Sequence, residues 1–311
     1  MFRKILILAL TIMILQVFIF GAFAVDQSKG KTLNVLCSFH PIYVFTQNVI
    51  AKSKNVTVEC LLPPNIGPHD YALTPGDMKK IAKADLFIIN GLEVEEFLGK
   101  AVNEANPNIK IIDTSKGIKP IPTRGAEEEE SKHEEHRHGI YNPHVWVSPK
   151  SAIIQVKNIE KALSAADPQN VALYKANADK YVVKLQAIVN DLTKASKTFK
   201  KRKIVTFHDA FDYFARDFGL EIVGVIEVVP GQEPSAGELA KMIKIVKESG
   251  AAAVFSEPQY QDKVAVVLAK ESGVSVYQLD PVATGDGKPD AYEKIMRKNL
   301  EVLKKTLGDG K

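Results

Sequence analysis

The sequence predicts an α/β protein: two lobes, each a four-stranded parallel sheet, joined by one long linker helix. Three observations carry this. Short apolar runs alternate with helical repeats over residues 33–113, the pattern of parallel βαβ units. The same alternation returns over residues 203–307. Between the two stretches runs a continuous helical segment from Pro168 to Phe199.

The first lobe reads as strands at 33–38, 56–62, 85–90 and 110–113, with helices near 42–51, 77–83 and 95–106. A loop at 63–75 separates the second strand from its helix, and a further helix is expected at 149–165. Residues 126–138, AEEEESKHEEHRH, interrupt the pattern. They hold six Glu and three His and have little apolar surface to bury, so a mobile loop is expected. In the central helix Tyr174, Tyr181, Ile188 and Ala195 recur every seven residues, and Ala178, Leu185, Leu192 and Phe199 follow the same schedule. That is one apolar seam on one helix of roughly 48 Å, suited to a strut between lobes. The second lobe reads as strands at 203–207, 221–226, 252–256 and 274–279, with helices near 210–218, 237–249, 262–272 and 291–307. The expected division is a leader at 1–24, a first lobe at 25–167, the linker helix at 168–199 and a second lobe at 200–311.

The chain has 311 residues, 45% apolar and 25% charged, which excludes wholesale disorder. Residues 1–24 read as a secretory signal: Arg3 and Lys4 open it, an apolar stretch runs to Phe23, and Ala22-Phe23-Ala24 has the form of a cleavage site. The alternative is an uncleaved anchor. Removing the leader lowers the formal charge from +4 to +2, so no strongly basic face is implied and nucleic acid is not an expected partner. An exported, soluble monomer is expected. The two cysteines are too few for a disulfide scaffold or a four-thiolate metal site, but export would permit a Cys37–Cys60 bridge.

Four potential metal ligands follow predicted strands, two per lobe. His69 lies after the second strand and His144 after the fourth strand and the acidic loop. His208 directly follows KIVTF, and Asp280 directly follows VSVYQL. Parallel sheets bind ligands beyond the carboxyl ends of their strands, so these residues converge if the lobes face each other. Three imidazoles and one carboxylate suit a four-coordinate Zn²⁺ site.

The segments PPNIGPHDYALTPGD around His69, NPHVWVSP around His144, FHDAFDYFARDFGL around His208, FSEPQY around Glu257 and LDPVA around Asp280 occur in this order. With them the chain resembles the metal-specific solute-binding proteins of ABC transporters, most closely the ZnuA-like zinc-uptake group. The resemblance implies two α/β lobes on one long helix. It also implies metal positions at His69, His144, His208 and Asp280, and a membrane permease as partner. A histidine at the His208 position goes with zinc in that group, and a carboxylate there with manganese or iron. Some zinc members complete the site with water or with an acid beside the first histidine, here Asp70. An acidic, His-rich loop before the second ligand is also frequent, which makes His133, His136 and His138 candidates for weak metal binding. His40 falls where the group has no ligand, so a structural role is expected.

The resulting expectation is a periplasmic Zn²⁺-binding protein that delivers its ion to an ABC permease and catalyses nothing. A manganese or iron binder of the same fold and a secreted zinc hydrolase are the alternatives. HEEHRH is not a metallopeptidase HExxH motif, because Arg137 stands where the second histidine is needed. There is no GxxxxGK[ST] loop, so ATP hydrolysis would fall to a partner subunit. Glu257, ending a strand on the cleft side, either caps a helix or forms a salt bridge, or else stands behind a ligand imidazole and fixes its tautomer. Trp146 is expected to pack the His144 loop.

Overall fold

The computed structural model describes residues 32–124, 139–226, 234–260 and 263–308. The expected leader and the acidic stretch with His133, His136 and His138 lie outside the described residues.

In the first lobe the elements are β1 (Leu33–Cys37), α1 (His40–Ile50), β2 (Val56–Cys60), α2 (Pro75–Lys83), β3 (Leu86–Ile89), α3 (Ala101–Ala105) and β4 (Lys110–Asp113). The strands form an all-parallel sheet in the order β2-β1-β3-β4. After α4 (Pro149–Ala166) and α5 (Val171–Ser196) come β5 (Lys203–Thr206), α6 (Asp212–Phe218), β6 (Glu221–Val225) and α7 (Ala236–Ser249). The chain closes with β7 (Ala253–Ser256), α8 (Lys263–Ser272), β8 (Ser275–Gln278) and α9 (Ala291–Leu307). The second sheet, β6-β5-β7-β8, repeats the order of the first. The repetition reaches the sequence: β1 runs into Phe39-His40 and β5 into Phe207-His208, each ahead of a helical turn. In both sheets the chain first steps to one side of the leading strand and then to the other. In the second sheet that switch point lies between β5 and β7, whose ends carry His208 and Glu257.

The seam of α5 is buried: Tyr174, Ala178, Tyr181, Leu185, Ile188, Leu192 and Ala195 face the core, while Val183 is 69% exposed. The helix is shorter than the sequence suggests, 26 residues or about 39 Å. Pro168–Asn170 forms a separate turn, because the Asp167 carboxylate accepts from Asn170 Nδ2 and from Tyr174 Oη, both at 2.6 Å. The helix expected at 95–106 is broken into a turn at Glu96–Leu98 and the short α3. Gly99 lies between them at φ 47°, a conformation glycine adopts without steric cost.

α9 packs on α1 of the first lobe and on the linker helix α5 as well as on β8. Tyr292 meets Phe45 edge-on at 5.0 Å, and Tyr181 Oη donates to Glu293 Oε2 at 3.1 Å. One apolar cluster therefore runs from β1, β3 and α1 through α5 to α6 and α9. A second cluster fills the other side of the second sheet, around Val205, Val246, Val254 and Leu268. Cys37 and Cys60 are register partners on β1 and β2 and remain thiols. Burial pushes both upward, Cys60 to about 12, the mark of unreactive core thiols. Among the described residues no helix is long and apolar enough to cross a membrane.

Candidate metal centre

His69 sits in a single turn, Pro68–Asp70, within the loop between β2 and α2. That loop is fastened at both ends. Lys80 Nζ donates to the carbonyls of Cys60 and Leu61 at 3.2 and 2.9 Å. At the other end Thr74 and Asp77 form a capping box at the start of α2, and Tyr71 Oη donates to Asp77 Oδ2 at 2.5 Å. His144 follows an antiparallel bridge between Pro122 and Tyr141 and opens the turn Val145–Val147. His208 lies just past β5.

These three imidazoles meet. His144 Nε2 lies 2.9 Å from His69 Nε2 and 3.2 Å from His208 Nε2. All three ligand atoms fall within 4.8 Å of one another, with His144 and His208 buried and His69 exposed. Neighbours fix the tautomers of the buried pair. Glu257 Oε1, on a side chain 1% exposed, accepts from His208 Nδ1 at 2.5 Å. Asn142 Oδ1 accepts from His144 Nδ1 at 2.9 Å. Each ring commits its Nδ1–H to that acceptor, so in the neutral form the two Nε2 atoms that face each other carry no proton. Burial, with His208 and His69 alongside, holds His144 well below the ordinary imidazole range and keeps it uncharged. Unprotonated nitrogens packed this closely repel, and a proton on His69 can bridge only one of the gaps. A cation among them relieves the repulsion.

Asp280 is outside this cluster. Its Oδ1 accepts from Val282 N at 2.8 Å, holding a β-branched residue at φ 61°. Among the described residues no hydrogen bond reaches its other oxygen. Burial raises its pKa, the Val282 N–H opposes the rise, and the Glu257 charge adds to it. Asp70 accepts from Tyr260 Oη at 3.3 Å across the mouth of the cleft. The cleft is lined by the three histidines together with Trp146, Gln259 and Tyr260, among others. Trp146 Nε1 donates to Pro281 O at 2.7 Å, and its ring lies 5.2 Å from His144 and 4.8 Å from Phe39. His40 is buried, with Nδ1 3.2 Å from the Val282 carbonyl.

Two residues of the site escaped the sequence reading. Asn142 orients His144, and its one signal was its place two residues ahead of that histidine. Gln259 Nε2 donates to Glu257 Oε2 at 2.8 Å, leaving its own Oε1 buried without a partner among the described residues.

The family described as "Zinc-uptake complex component A periplasmic" matches residues 35–306. The high-affinity zinc uptake system protein ZnuA of Bacillus subtilis is 35% identical over 291 residues, covering 90% of this chain and 89% of that protein. The zinc-binding protein AdcA of Streptococcus pyogenes serotype M3 is 33% identical over 308 residues. That match takes in 93% of this chain but 59% of AdcA, so the chain spans little more than half of that relative. Among solved structures, the solute-binding protein FpvC of Pseudomonas aeruginosa in complex with Mn²⁺ superposes with a TM-score of 0.79 at 28% identity. It covers 89% of this chain and 99% of FpvC.

Proposed function

The chain belongs to the periplasmic zinc-uptake complex component A family, and on that premise we propose that it captures Zn²⁺ outside the cytoplasmic membrane and hands it to the permease of an ABC transporter. The observation that carries the reading is the convergence of three imidazole Nε2 atoms from both lobes. Two nitrogens on one tetrahedral zinc, at roughly 2.0–2.1 Å from the metal, stand about 3.3 Å apart. The 2.9 and 3.2 Å separations need to widen by only a few tenths of an ångström to admit the ion.

His69, His144 and His208 are the proposed ligands, with the second oxygen of Asp280, unbonded among the described residues, closing the fourth position. Four protein donors leave no open coordination site for a substrate, so the chain catalyses no reaction. An all-imidazole core suits zinc, whereas Mn²⁺ prefers carboxylate and water oxygens, and the Irving–Williams order points the same way. In this reading residues 1–24 are a removed leader, and 25–167 and 200–311 are the lobes flanking the linker helix at 168–199.

Metal-stripped protein titrated with Zn²⁺ by calorimetry should take up one tight equivalent per chain. Mn²⁺ should fail to displace it, and His208→Ala should weaken binding at least 100-fold. A wild-type chain that takes up no zinc, or that holds Mn²⁺ more tightly, overturns the reading.

A further inference from the structure

We propose that Asn142 is a positioning residue shared by the ligand loops of both lobes: its amide holds His144 with Nε2 bare and ties that loop to the segment beginning at His208. This rests on the reading of the histidine cluster as a zinc site.

The orientation of the Asn142 amide is fixed by its neighbours. Asn142 is 0% exposed, and every polar group it has is engaged. Its Nδ2 lies 2.7 Å from the Asp209 carbonyl and 3.0 Å from Asp212 Oδ2. A carbonyl oxygen only accepts, so the atom facing Asp209 must be the NH₂ group. The atom facing His144 is then the amide oxygen. That oxygen takes the backbone N–H of His144 and the ring Nδ1, both at 2.9 Å. An acceptor opposite Nδ1 requires the proton there, and in the neutral ring this leaves none on Nε2, the atom that faces His69 and His208. The tautomer of one ligand is thus dictated by the backbone beside another.

The backbone of Asn142 is held as firmly. Its N–H donates to Ile121 O at 2.8 Å, and its carbonyl accepts from Tyr213 Oη at 2.8 Å. Asp212 is anchored in turn by an ion pair with Arg124. One face of the amide therefore belongs to the first lobe and the other to the second. An aspartate here would set a carboxylate against the Asp209 carbonyl and the Asp212 charge. Alanine would remove both arms at once. Asparagine supplies one acceptor and one double donor on a short, stiff stem, and both neighbours need that combination.

The test uses the full metal-stripped chain. Long-range ¹⁵N correlation of the imidazoles should show His144 protonated on Nδ1, and Asn142→Ala should shift it to a mixture of tautomers. Chelator competition should show zinc binding weakened by roughly 10- to 100-fold in Asn142→Ala, the range typical of residues that orient a ligand. The double change Asn142→Asp with Asp212→Asn restores an acceptor toward His144 and replaces the Asp212 charge with an amide donor, leaving the Asp209 carbonyl as the one neighbour still facing an oxygen. It should recover part of the affinity, with Asp212→Asn alone as the control for the lost Arg124 ion pair. The proposal is overturned if wild-type His144 is protonated on Nε2. It is equally overturned if Asn142→Ala binds zinc like wild type, or if the double change binds no better than Asn142→Ala. Should Asn142→Ala not fold, the wild-type tautomer and the double change still decide. A wild-type chain with the expected tautomer but no zinc affinity would sink the functional reading and leave the positioning intact.

Discussion

His144 and His208 are oriented by unlike partners, a neutral amide and a buried carboxylate. The Glu257 contact at 2.5 Å makes His208 the more strongly polarised donor. Behind Glu257, Gln259 must present its NH₂ to the carboxylate, which strands its own oxygen. Glu257→Gln therefore has a two-sided outcome. The new amide keeps an oxygen for His208 Nδ1 and offers an NH₂ to Gln259, which can turn its oxygen inward. Metal-free stability should hold or rise, because a buried charge is removed, while the turned Gln259 amide exchanges an unpartnered oxygen for an unpartnered NH₂. Zinc affinity should fall about tenfold, because the imidazole loses its charged partner. Thermal melts and chelator competition read the two effects separately, and parallel losses in both would show that Glu257 serves packing alone. At this scale the legible residues were those that follow strand ends. His69, His144 and His208 stand out because imidazoles placed past several strands of a parallel sheet have a shared place to point. Gln259 was invisible and Asn142 was marked only by its place two residues before His144, because an amide is equally at home in any turn and its orientation is decided by a backbone carbonyl or carboxylate from elsewhere in the fold. The Val282 N–H that occupies one oxygen of Asp280 was hidden for the same reason.

Elements were readable wherever one periodicity ran long enough to override local chemistry. The seven-residue recurrence along α5 is such a case, and the same residues line its buried face. Its neighbouring positions give a direct check. Leu185 is 0% exposed and Val183 is 69% exposed. Leu185→Ala should cost about 2–5 kcal/mol of unfolding free energy by denaturant titration, the range for a buried leucine. Val183→Lys should change it by less than about 0.5 kcal/mol. Equal effects at the two sites would mean the helix rotates or frays within the assembly. Short helices were less legible because single side chains redirect them. The helix expected at 95–106 contains Glu95, whose carboxylate instead takes the backbone N–H groups of Asn90 and Gly91 at 2.7 and 3.1 Å. With that side chain drawn back toward β3 and Gly99 in a left-handed turn, no continuous helix can form. Neither contact has a sequence signature, since both depend on how β3 ends.

At the scale of the molecule, the connections between lobes decide how an ion can leave. The apolar cluster shared by β1, β3, α1, α5, α6 and α9 is continuous across the lobes. Each ~100 Å² of such surface exposed by a hinge costs about 2.5 kcal/mol, so wide opening is disfavoured. Besides the Tyr260–Asp70 contact, three polar links near the mouth join the first lobe to one segment of the second. Trp146 Nε1 donates to Pro281 O, Gly285 N donates to Pro64 O at 2.9 Å, and His40 Nδ1 reaches Val282 O. All three end on segment 281–285, which begins beside Asp280 and carries Val282 in a left-handed conformation that a β-branched residue resists. Motion should concentrate in that segment and in the His69 loop, while the shared core stays closed. Small-angle scattering of metal-free and zinc-loaded protein should therefore give superimposable curves. Hydrogen exchange should slow on zinc addition at residues 63–74 and 280–286 and remain unchanged along α5 and β5. An expanded metal-free form, or exchange changes spread through α5, would show that the lobes swing apart as rigid bodies and that the common core does not restrain them.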